Sequence, residues 1–317
     1  MSMINAALID SFDNPPHFRS VPAPVAHAGQ EVVQVLAVGI SHATRGIAAG
    51  KHYMSPKSLP ALAGIDAVVV RPNGKLAFVM APGVGTLAER IAVDRRTLIP
   101  LPCDAVPAVI AASMNAALSS WVALKARVHF KPGQSVLVIG ATGNAGASAV
   151  TVAKHLGASR VTAAGRNRER LDAQLAKGAD ELVPLTADEG ATAAAYAKAA
   201  AEVDVVLDYV WGPPAELAMQ AILAARTDHT RILDWVQVGG TGGMSITLGG
   251  HSLRHNALRI SGSGFGSVVI GDADLPGLGA ALSSGLVSVK PRIVPMVDVE
   301  AAWAHVDAPG ERTVIVP

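Results

Sequence analysis

Short apolar runs, broken by glycine and proline, fill the first hundred residues of the chain. Runs of this length, rich in valine and isoleucine, predict β-strands. Asn73-Gly74 stands between the apolar runs 68–70 and 76–80 and can supply the positive φ of a tight turn, so these runs predict a hairpin. The first hundred residues therefore predict an antiparallel barrel or sandwich.

After about residue 135 the pattern changes to apolar β-runs that alternate with longer helical stretches. The predicted strands read SVLVIG, RVTAAG, ELVPL, VDVVLDYV, RILDWVQVG and LRISGSG, and the predicted helices read AGASAVTVAKHLGA, RERLDAQLAKGA, GATAAAYAKAAA and PAELAMQAILAA. Strands and helices that alternate in this way predict a parallel sheet with crossover helices. Mixed short elements return in 265–317 and end in the strand-like RTVIVP.

An uncharged stretch of twenty residues, 105–124, has the length of a membrane span. Pro107, Asn115 and several serines dilute its hydropathy, and long core helices of soluble proteins are commonly apolar all round. We therefore predict a buried helix over about 105–128 in place of a membrane helix.

Composition and charge favour a small-molecule ligand. With 317 residues, half of them hydrophobic, the chain is long enough for two domains with large cores. Its 26 Lys and Arg against 25 Asp and Glu leave a net charge of +1, which gives no electrostatic footprint for nucleic acid or an anionic membrane.

The single cysteine, Cys103, excludes an intramolecular disulfide and any multi-cysteine metal site. The first residues, MSMINAALID, lack the basic and apolar regions of a signal peptide. We therefore expect a cytoplasmic protein.

A glycine break follows the first strand of the alternating region, in VLVIGATGNAGASAV. Gly143 and Gly146 take the second and third glycine places of the dinucleotide-binding fingerprint, whereas Ala141 replaces the first. Gly143 would let the backbone approach a pyrophosphate, and Gly146 would let helix and strand pack closely. The alternative is a tight turn that binds nothing, but the position after the first strand of the alternating units favours a cofactor site at Thr142, Gly143, Asn144, Ala145 and Gly146.

The end of the second strand distinguishes between the nicotinamide cofactors. An NAD site needs an acid there for the ribose hydroxyls, but this strand ends in Gly165, Arg166 and Asn167. A guanidinium can bind a 2′-phosphate in bidentate fashion, so we predict NADP(H). The alternative, a solvated basic helix start, applies better to Arg168 and Arg170 than to Arg166.

Later strand ends predict further cofactor contacts, because ligands of open α/β sheets bind beyond the carboxyl ends of the strands. The residues concerned are Tyr209, Val210, Val238, Gly239, Gly264 and Phe265. Asp208 is either a further contact or a helix N-cap before Pro213.

The ordered series PGQSVLVIGATGNAGASAVTVAKHLGASRVTAAGRN, KGAD, DVVLDYVWG, VQVGG and RTVIVP resembles the medium-chain dehydrogenase/reductase superfamily, in its zinc-free quinone oxidoreductase branch. The resemblance implies an α/β fold with a GroES-like, β-rich catalytic domain, residues 1–120 and 265–317, and a Rossmann doubly wound domain, residues 121–264. It also implies a cofactor in the cleft and a homodimer.

The resemblance also shows where zinc ligands are missing. Alcohol dehydrogenases of the superfamily hold zinc with a Gly-Ile-Cys type segment and a Gly-His-Glu segment, which this chain replaces with Ser41 and Ile65. Neither side chain replaces thiolate or imidazole on zinc, so we expect no metal site. His42 and His52 are more typical of surface or pocket histidines than of a metal pair.

Without a Lewis acid, hydride transfer to a quinone or an α,β-unsaturated carbonyl is the reaction that fits best. Tyr53 is the preferred proton donor, although a tyrosine at a loop edge is an equal alternative; Ser41 and Asn115 are further candidates, with His42 beside them. The resemblance implies that Ser119 anchors the nicotinamide carboxamide, with a hydroxyl bonded to its own helix as the alternative.

The sequence therefore predicts a zinc-independent, NADPH-dependent oxidoreductase that reduces quinones or enones. Two alternatives stay open: an enoyl-thioester or ketone reductase, and a crystallin-like NADP(H)-binding redox sensor with little turnover.

Overall fold

A computed structural model describes residues 2–81, 83–264, 267, 273–287 and 289–317. The chain divides into two compact units: unit 1 comprises Met1–Asn115 and Leu275–Pro317, and unit 2 comprises Ala116–Asp274. The first division falls inside one helix, five residues before the predicted boundary, and the second falls ten residues after the predicted one.

Unit 1 is built around a seven-stranded, mostly antiparallel sheet. Its main path runs β15-β16-β3-β5-β6-β8, and β7 pairs with β3; of the strand pairs described, only β15 with β16 is parallel. These strands are β3 (Gln30–Gly39), β5 (Asp66–Val70), β6 (Leu76–Met80), β7 (Arg90–Asp94), β8 (Leu98–Pro100), β15 (Lys290–Pro295) and β16 (Glu311–Val316). The predicted hairpin is confirmed: β5 pairs with β6 in antiparallel register, and Gly74 has a φ of 79°.

A second sheet of unit 1 has the order β2-β1-β4. Its strands are β1 (Met3–Ile9), β2 (His17–Pro22) and β4 (Ala61–Leu62). The helices of this unit are α1 (His42–Ala48), α8 (Leu275–Ser283) and α9 (Val299–Ala304), together with the first part of α2 (Pro107–Val122). A core of small aliphatic side chains, including Ile9, Val35, Val69 and Leu87, fills the space between the elements.

Unit 2 contains a six-stranded parallel sheet in the order β11-β10-β9-β12-β13-β14. Its strands are β9 (Ser135–Ile139), β10 (Arg160–Gly165), β11 (Glu181–Pro184), β12 (Val205–Asp208), β13 (Leu233–Gln237) and β14 (Leu258–Gly262). Counted from β9, this is the 3-2-1-4-5-6 order of the doubly wound dinucleotide-binding fold. The predicted parallel sheet is confirmed.

Helices connect the strands of unit 2 and cover its sheet. They are α3 (Asn144–His155), α4 (Arg168–Asp172), α5 (Glu189–Ala200), α6 (Gly212–Ala225) and α7 (Gly250–His255). Every residue of β9 and β12 is buried, as expected for parallel strands covered on both faces. Trp235 and Tyr196 are the bulkiest fully buried side chains among the residues described.

The predicted helix 168–179 is shorter than its sequence pattern indicated. α4 ends at Asp172 and is followed by a 3-10 turn, Leu175–Lys177. The Gln174 amide donates to the Arg170 carbonyl at 2.8 Å, and the Gln174 N–H donates to the Leu171 carbonyl, three residues back. These bonds tighten the chain beyond α-helical geometry.

The helix Pro107–Arg127 is long and apolar enough to cross a membrane, but 67% of its most apolar window is buried within the protein. It consists of α2 and a π-helical turn, Ala123–Arg127. This burial favours the predicted core helix.

Candidate functional site

The turn after β9 brings two glycines into close packing. Gly140 has a φ of 91°, which only glycine adopts easily. A Cβ on Gly146 would lie 2.2 Å from the Gly140 carbonyl oxygen, so the first turn of α3 can reach the end of β9 only because residue 146 is glycine.

Gly143 meets different surroundings. Apart from its two chain neighbours, the described atom nearest to a Cβ at this position would be the Gly140 carbonyl oxygen at 3.7 Å, and φ is −89°, so the fold itself does not require glycine. Gly143 is the N-cap of α3, and no side chain of the described residues caps the helix there. A helix N-terminus with a glycine as its N-cap leaves room for a pyrophosphate.

The turn after β10 lies against the first turn. A Cβ on Gly165 would lie 2.4 Å from Cγ2 of Thr142, so the absent side chain lets the two turns meet. Asn167 caps α4 by accepting the Arg170 N–H at 3.0 Å. The exposed Arg166 makes no ion pair with any described residue, whereas Arg168 pairs with Asp172 at 2.9 Å. An unpaired guanidinium beside a glycine turn fits a 2′-phosphate.

Residues from the next two strand ends approach the same turn. A Cβ on Gly140 would lie 3.1 Å from Val210 and 3.2 Å from Tyr209, and a Cβ on Gly239 would lie 2.8 Å from the Tyr209 carbonyl oxygen. Four of the predicted strand ends, those of β9, β10, β12 and β13, are thus brought together at one edge of the sheet.

The remaining predicted cofactor contacts are Val238, Gly264 and Phe265. Val238 N–H donates to the Asp208 carbonyl at 2.7 Å, which holds the residue at the end of β13. Gly264 is exposed, and its N–H donates to the Ser267 hydroxyl at 2.9 Å. Phe265 lies outside the described residues.

Asp208 is fully buried and stabilises the turn between β12 and α6. Its Oδ1 accepts the N–H groups of Val210 and Trp211, both at 2.9 Å, and its Oδ2 accepts the Trp235 indole N–H at 3.0 Å. The N-cap alternative for Asp208 is wrong in detail, because Trp211 is the N-cap of α6. Burial raises the pKa of the Asp208 carboxyl, and its three hydrogen bonds oppose that rise.

The Ser119 hydroxyl bonds to its own helix, as the alternative to a role in cofactor binding predicted, and it also makes a second hydrogen bond. The hydroxyl lies 3.2 Å from the Ala116 carbonyl and 3.0 Å from the Tyr209 phenol oxygen. Burial raises the pKa of Tyr209 to about 12, so its phenol is protonated and can donate to Ser119. Ser119 then keeps a lone pair that could accept a carboxamide N–H.

In unit 1, Ser41 is buried and caps α1. Its hydroxyl accepts the Thr44 N–H at 3.1 Å, and the Thr44 hydroxyl accepts the Ser41 N–H at 3.1 Å, which completes a capping box. Tyr53 is 72% exposed and stacks on His52, with ring centroids 4.3 Å apart. The catalytic roles of both residues stay predictions.

Asn115, the third catalytic candidate, is half-buried and bound to a buried carboxylate. Its Nδ2 donates to Oδ2 of Asp66 at 3.1 Å. Arg312 on β16 is the charged residue that acts on Asp66 electrostatically. Burial raises the pKa of Asp66 to about 7, while Arg312 and the Asn115 hydrogen bond oppose the rise.

The residues at the superfamily's zinc positions do not fit zinc. The Ser41 hydroxyl is engaged in the capping box, and Ile65 is a buried core residue. His42 is exposed, and His52 Nδ1 lies 3.2 Å from the Met54 N–H. Burial lowers the pKa of His52.

His305, Asp307 and Glu311 offer three ligand atoms within 4.8 Å of one another elsewhere in unit 1. Asp307 Oδ1 already accepts the N–H and the hydroxyl of Thr313, at 3.0 and 2.5 Å. Arg45 and Arg312 also act on Asp307 electrostatically. Two guanidinium charges oppose a further cation at this position.

Comparisons with known proteins agree with this geometry. A family described as "Saccharopine dehydrogenase NADP binding domain" matches residues 136–241. A probable NADPH-dependent quinone reductase of Emericella nidulans is 32% identical over 360 aligned positions, which cover 99% of this chain and 100% of the relative.

Two solved structures share the fold over nearly the whole chain. The quinone oxidoreductase of Thermus thermophilus, which was also solved with NADPH, has 27% identity and a TM-score of 0.76, covering 99% of this chain and 100% of that one. An alcohol dehydrogenase superfamily protein of Novosphingobium aromaticivorans has 23% identity and a TM-score of 0.79, covers 100% of both chains, and shows the fold alone.

The chain therefore belongs to the medium-chain dehydrogenase/reductase superfamily, as its sequence motifs predicted. It is an NADP(H)-dependent oxidoreductase, with the cofactor domain in unit 2.

Sequence reasoning did not select two buried groups of unit 1, Asp66 and Arg312, or the exposed cation Arg170. Asp66 opens the apolar run DAVVV and Arg312 lies in RTVIV; a charge inside a strand of apolar residues was the available signal. The side chain of Arg170, like that of Arg166, makes no ion pair among the residues described.

Proposed function

We propose that this protein reduces quinones or α,β-unsaturated carbonyls with NADPH, without a metal ion. One observation carries the proposal: the glycine turn around Gly143 lies beside a second turn that presents the unpaired Arg166, in a chain related along its whole length to a probable NADPH-dependent quinone reductase. The missing zinc ligands at Ser41 and Ile65 favour a substrate that accepts hydride without a Lewis acid.

In this proposal the residues of unit 2 bind and orient the cofactor, which supplies a hydride when bound. The glycine turn and the N-terminus of α3 hold the pyrophosphate, and Arg166 holds the 2′-phosphate, with Arg170 as a second cation nearby. Ser119, held by Tyr209, accepts a hydrogen bond from the carboxamide.

The residues of unit 1 supply the polar groups for the substrate. Reduction of a quinone places negative charge on an oxygen before a proton arrives, so a nearby N–H or O–H donor lowers the barrier. Asn115 and Tyr53 are the donors that we propose. The half-buried Asn115 is held by a buried partner, whereas the exposed Tyr53 can exchange its proton with water.

The experiment is to follow NADPH oxidation by its absorbance with a panel of quinones, enones, enoyl thioesters and saturated ketones. We expect turnover with quinones or enones, a strong preference for NADPH over NADH, and no change on adding EDTA or zinc. Tight NADPH binding without turnover on any substrate would instead support the redox-sensor alternative, and chelator-sensitive activity would contradict the metal-free reaction.

We also propose a homodimer and a cytoplasmic location. Among the strands that the structure describes, β14 lies at the edge of the parallel sheet and carries the exposed Ile260, which supports an interface at this edge. The exposed free Cys103 supports a reducing compartment.

A further inference from the structure

Asp66 is a buried carboxyl with one bound and one unbound oxygen. It is 1% exposed and lies at the first position of β5. Oδ2 accepts the Asn115 Nδ2–H at 3.1 Å, whereas Oδ1 has no hydrogen-bond partner among the described residues. A buried carboxylate oxygen without a partner is costly, so this site makes ionisation of Asp66 less favourable than that of a carboxyl in water.

The charges around Asp66 oppose protonation only weakly. Arg312, 6% exposed on β16, is the charged group of the neighbouring elements that acts on it, and the two side chains form no ion pair in the part of the chain that the structure describes. Arg312 also faces Asp307 and Arg45, so its charge is shared. Burial prevails and raises the pKa of Asp66 to about 7.

We propose that Asp66 is a positioning residue for the proposed reduction, because its carboxyl sets which side of the Asn115 amide is presented to the substrate. The ionised carboxylate can only accept, so it holds the Asn115 N–H, as the structure shows. The protonated carboxyl can donate to Asn115 Oδ1, which turns the amide over and frees both N–H donors for the substrate oxygen.

The charge of Asp66 affects the rate of reduction in the same direction as the orientation of the Asn115 amide does. Reduction builds negative charge on the substrate oxygen, and an ionised Asp66 behind Asn115 repels that charge. A protonated Asp66 therefore favours the reaction in two ways: it turns the Asn115 amide toward the substrate oxygen, and it removes a negative charge behind that amide. The inference rests on the proposed function, since it assigns the substrate side of Asn115 to a carbonyl or quinone oxygen.

The first test observes Asn115 directly, without turnover. The side-chain amide signals of Asn115 in a ¹⁵N–¹H spectrum are assigned by their loss in Asn115→Ala. In the wild-type protein we expect these signals to shift with a midpoint near pH 7, and in Asp66→Asn we expect no such shift. Asp94→Asn is the matched control, because Asp94 is a carboxylate at the surface of the same unit paired with Arg96, and it should leave the titration unchanged.

The second test measures kcat against pH at saturating NADPH and quinone. We expect the wild-type kcat to fall about tenfold between about pH 6 and pH 8, following the protonated fraction of one group. Asp66→Asn, which cannot ionise, should keep the low-pH rate throughout. In Asn115→Ala the step should disappear, and the double variant should behave like Asn115→Ala alone.

The outcomes separate this inference from the proposed function. Asn115 signals that do not titrate, or that titrate equally in Asp66→Asn, overturn the inference whatever the activity. An unchanged step in the kcat profile of Asp66→Asn also overturns it, because a merely structural Asp66 would alter stability and not the profile. If Asn115 titrates through Asp66 but no quinone or enone is reduced at any pH, the coupling is supported and the proposed function is contradicted.

Discussion

Gly143 and Gly146 lie one turn apart at the start of α3, yet only one of them is required by the protein itself. We predict that Gly146→Ala destabilises the fold by about 1–3 kcal/mol, because its Cβ would lie 2.2 Å from the Gly140 carbonyl oxygen. Gly143→Ala should fold normally but bind NADPH at least about tenfold more weakly, since its methyl group would occupy the space of the pyrophosphate.

Chemical denaturation and fluorescence titration with NADPH would measure both effects, and each variant is the control for the other. Weaker folding of Gly143→Ala with unchanged NADPH affinity would contradict the assignment of this position to the cofactor.

Arg166 is the residue that should distinguish NADPH from NADH. We predict that Arg166→Ala raises the Kd for NADPH by about tenfold to a hundredfold and leaves the Kd for NADH unchanged. This increase corresponds to the loss of one or two charged hydrogen bonds. Isothermal titration with both cofactors tests this. Arg168→Ala is the matched control, because Arg168 is paired with Asp172; equal losses for both cofactors in Arg166→Ala would refute the phosphate role.

Asp66 should also make the stability of the protein depend on pH. Its folded pKa of about 7 lies above the ordinary value of 3.8, so the folded state binds the extra proton. The stabilisation is complete below about pH 4 and is lost as the pH rises to about 7, at roughly 1.4 kcal/mol for each pKa unit.

We therefore predict that Asp66→Asn matches the wild-type stability near about pH 4 and exceeds it by roughly 2–4 kcal/mol at about pH 8. Urea unfolding at several pH values measures the difference. A constant difference across this range would show that Asp66 does not hold a proton in the folded state.

At the scale of elements, the stability of α1 depends on the capping box at its start, because the helix has only seven residues. We predict that Ser41→Ala lowers the free energy of unfolding by about 1 kcal/mol, since it removes the acceptor of the capping box. Differential scanning calorimetry tests the cap. If kcat falls much further than the loss of folded protein explains, Ser41 also serves as the predicted donor.

The regular elements could be predicted where hydrophobic pattern and local geometry agree. β10 occupies the predicted run RVTAAG, and the Asn73-Gly74 hairpin forms as predicted, because both depend on residues close in the chain. α4 was predicted too long, since a pattern of apolar positions does not register the side-chain bond from Gln174 to the Arg170 carbonyl.

The candidate site was predictable to the extent that it is local. The glycine turn and Arg166 belong to short motifs, and their meaning follows from the position of those motifs in a parallel sheet. The Asp66–Asn115 bond joins residues 49 positions apart, and the Ser119–Tyr209 bond joins residues 90 apart. Neither pair has a spacing that marks it in the sequence, so only the folded chain reveals them.

At the scale of the whole molecule, the edge strand β14 is the place where the proposed homodimer can be tested. Ile260 is 38% exposed there, so we predict that Ile260→Lys leaves the stability of a single chain within about 0.5 kcal/mol but disrupts the dimer. Mass photometry or sedimentation would show the change. A dimer that survives this substitution would place the interface elsewhere.

The strand β16 lies late in the sequence, yet it sits inside the seven-stranded sheet, between β15 and β3. On a ribosome, every strand of unit 2 is therefore made before unit 1 can be completed, and we expect unit 2 to fold first. Until residues 311–316 emerge, β15 has no partner strand among the described elements and part of β3 is an open edge, which is a template for pairing with neighbouring chains. Slow synthesis of residues 296–316 would therefore prolong the period in which nascent chains are most prone to aggregate.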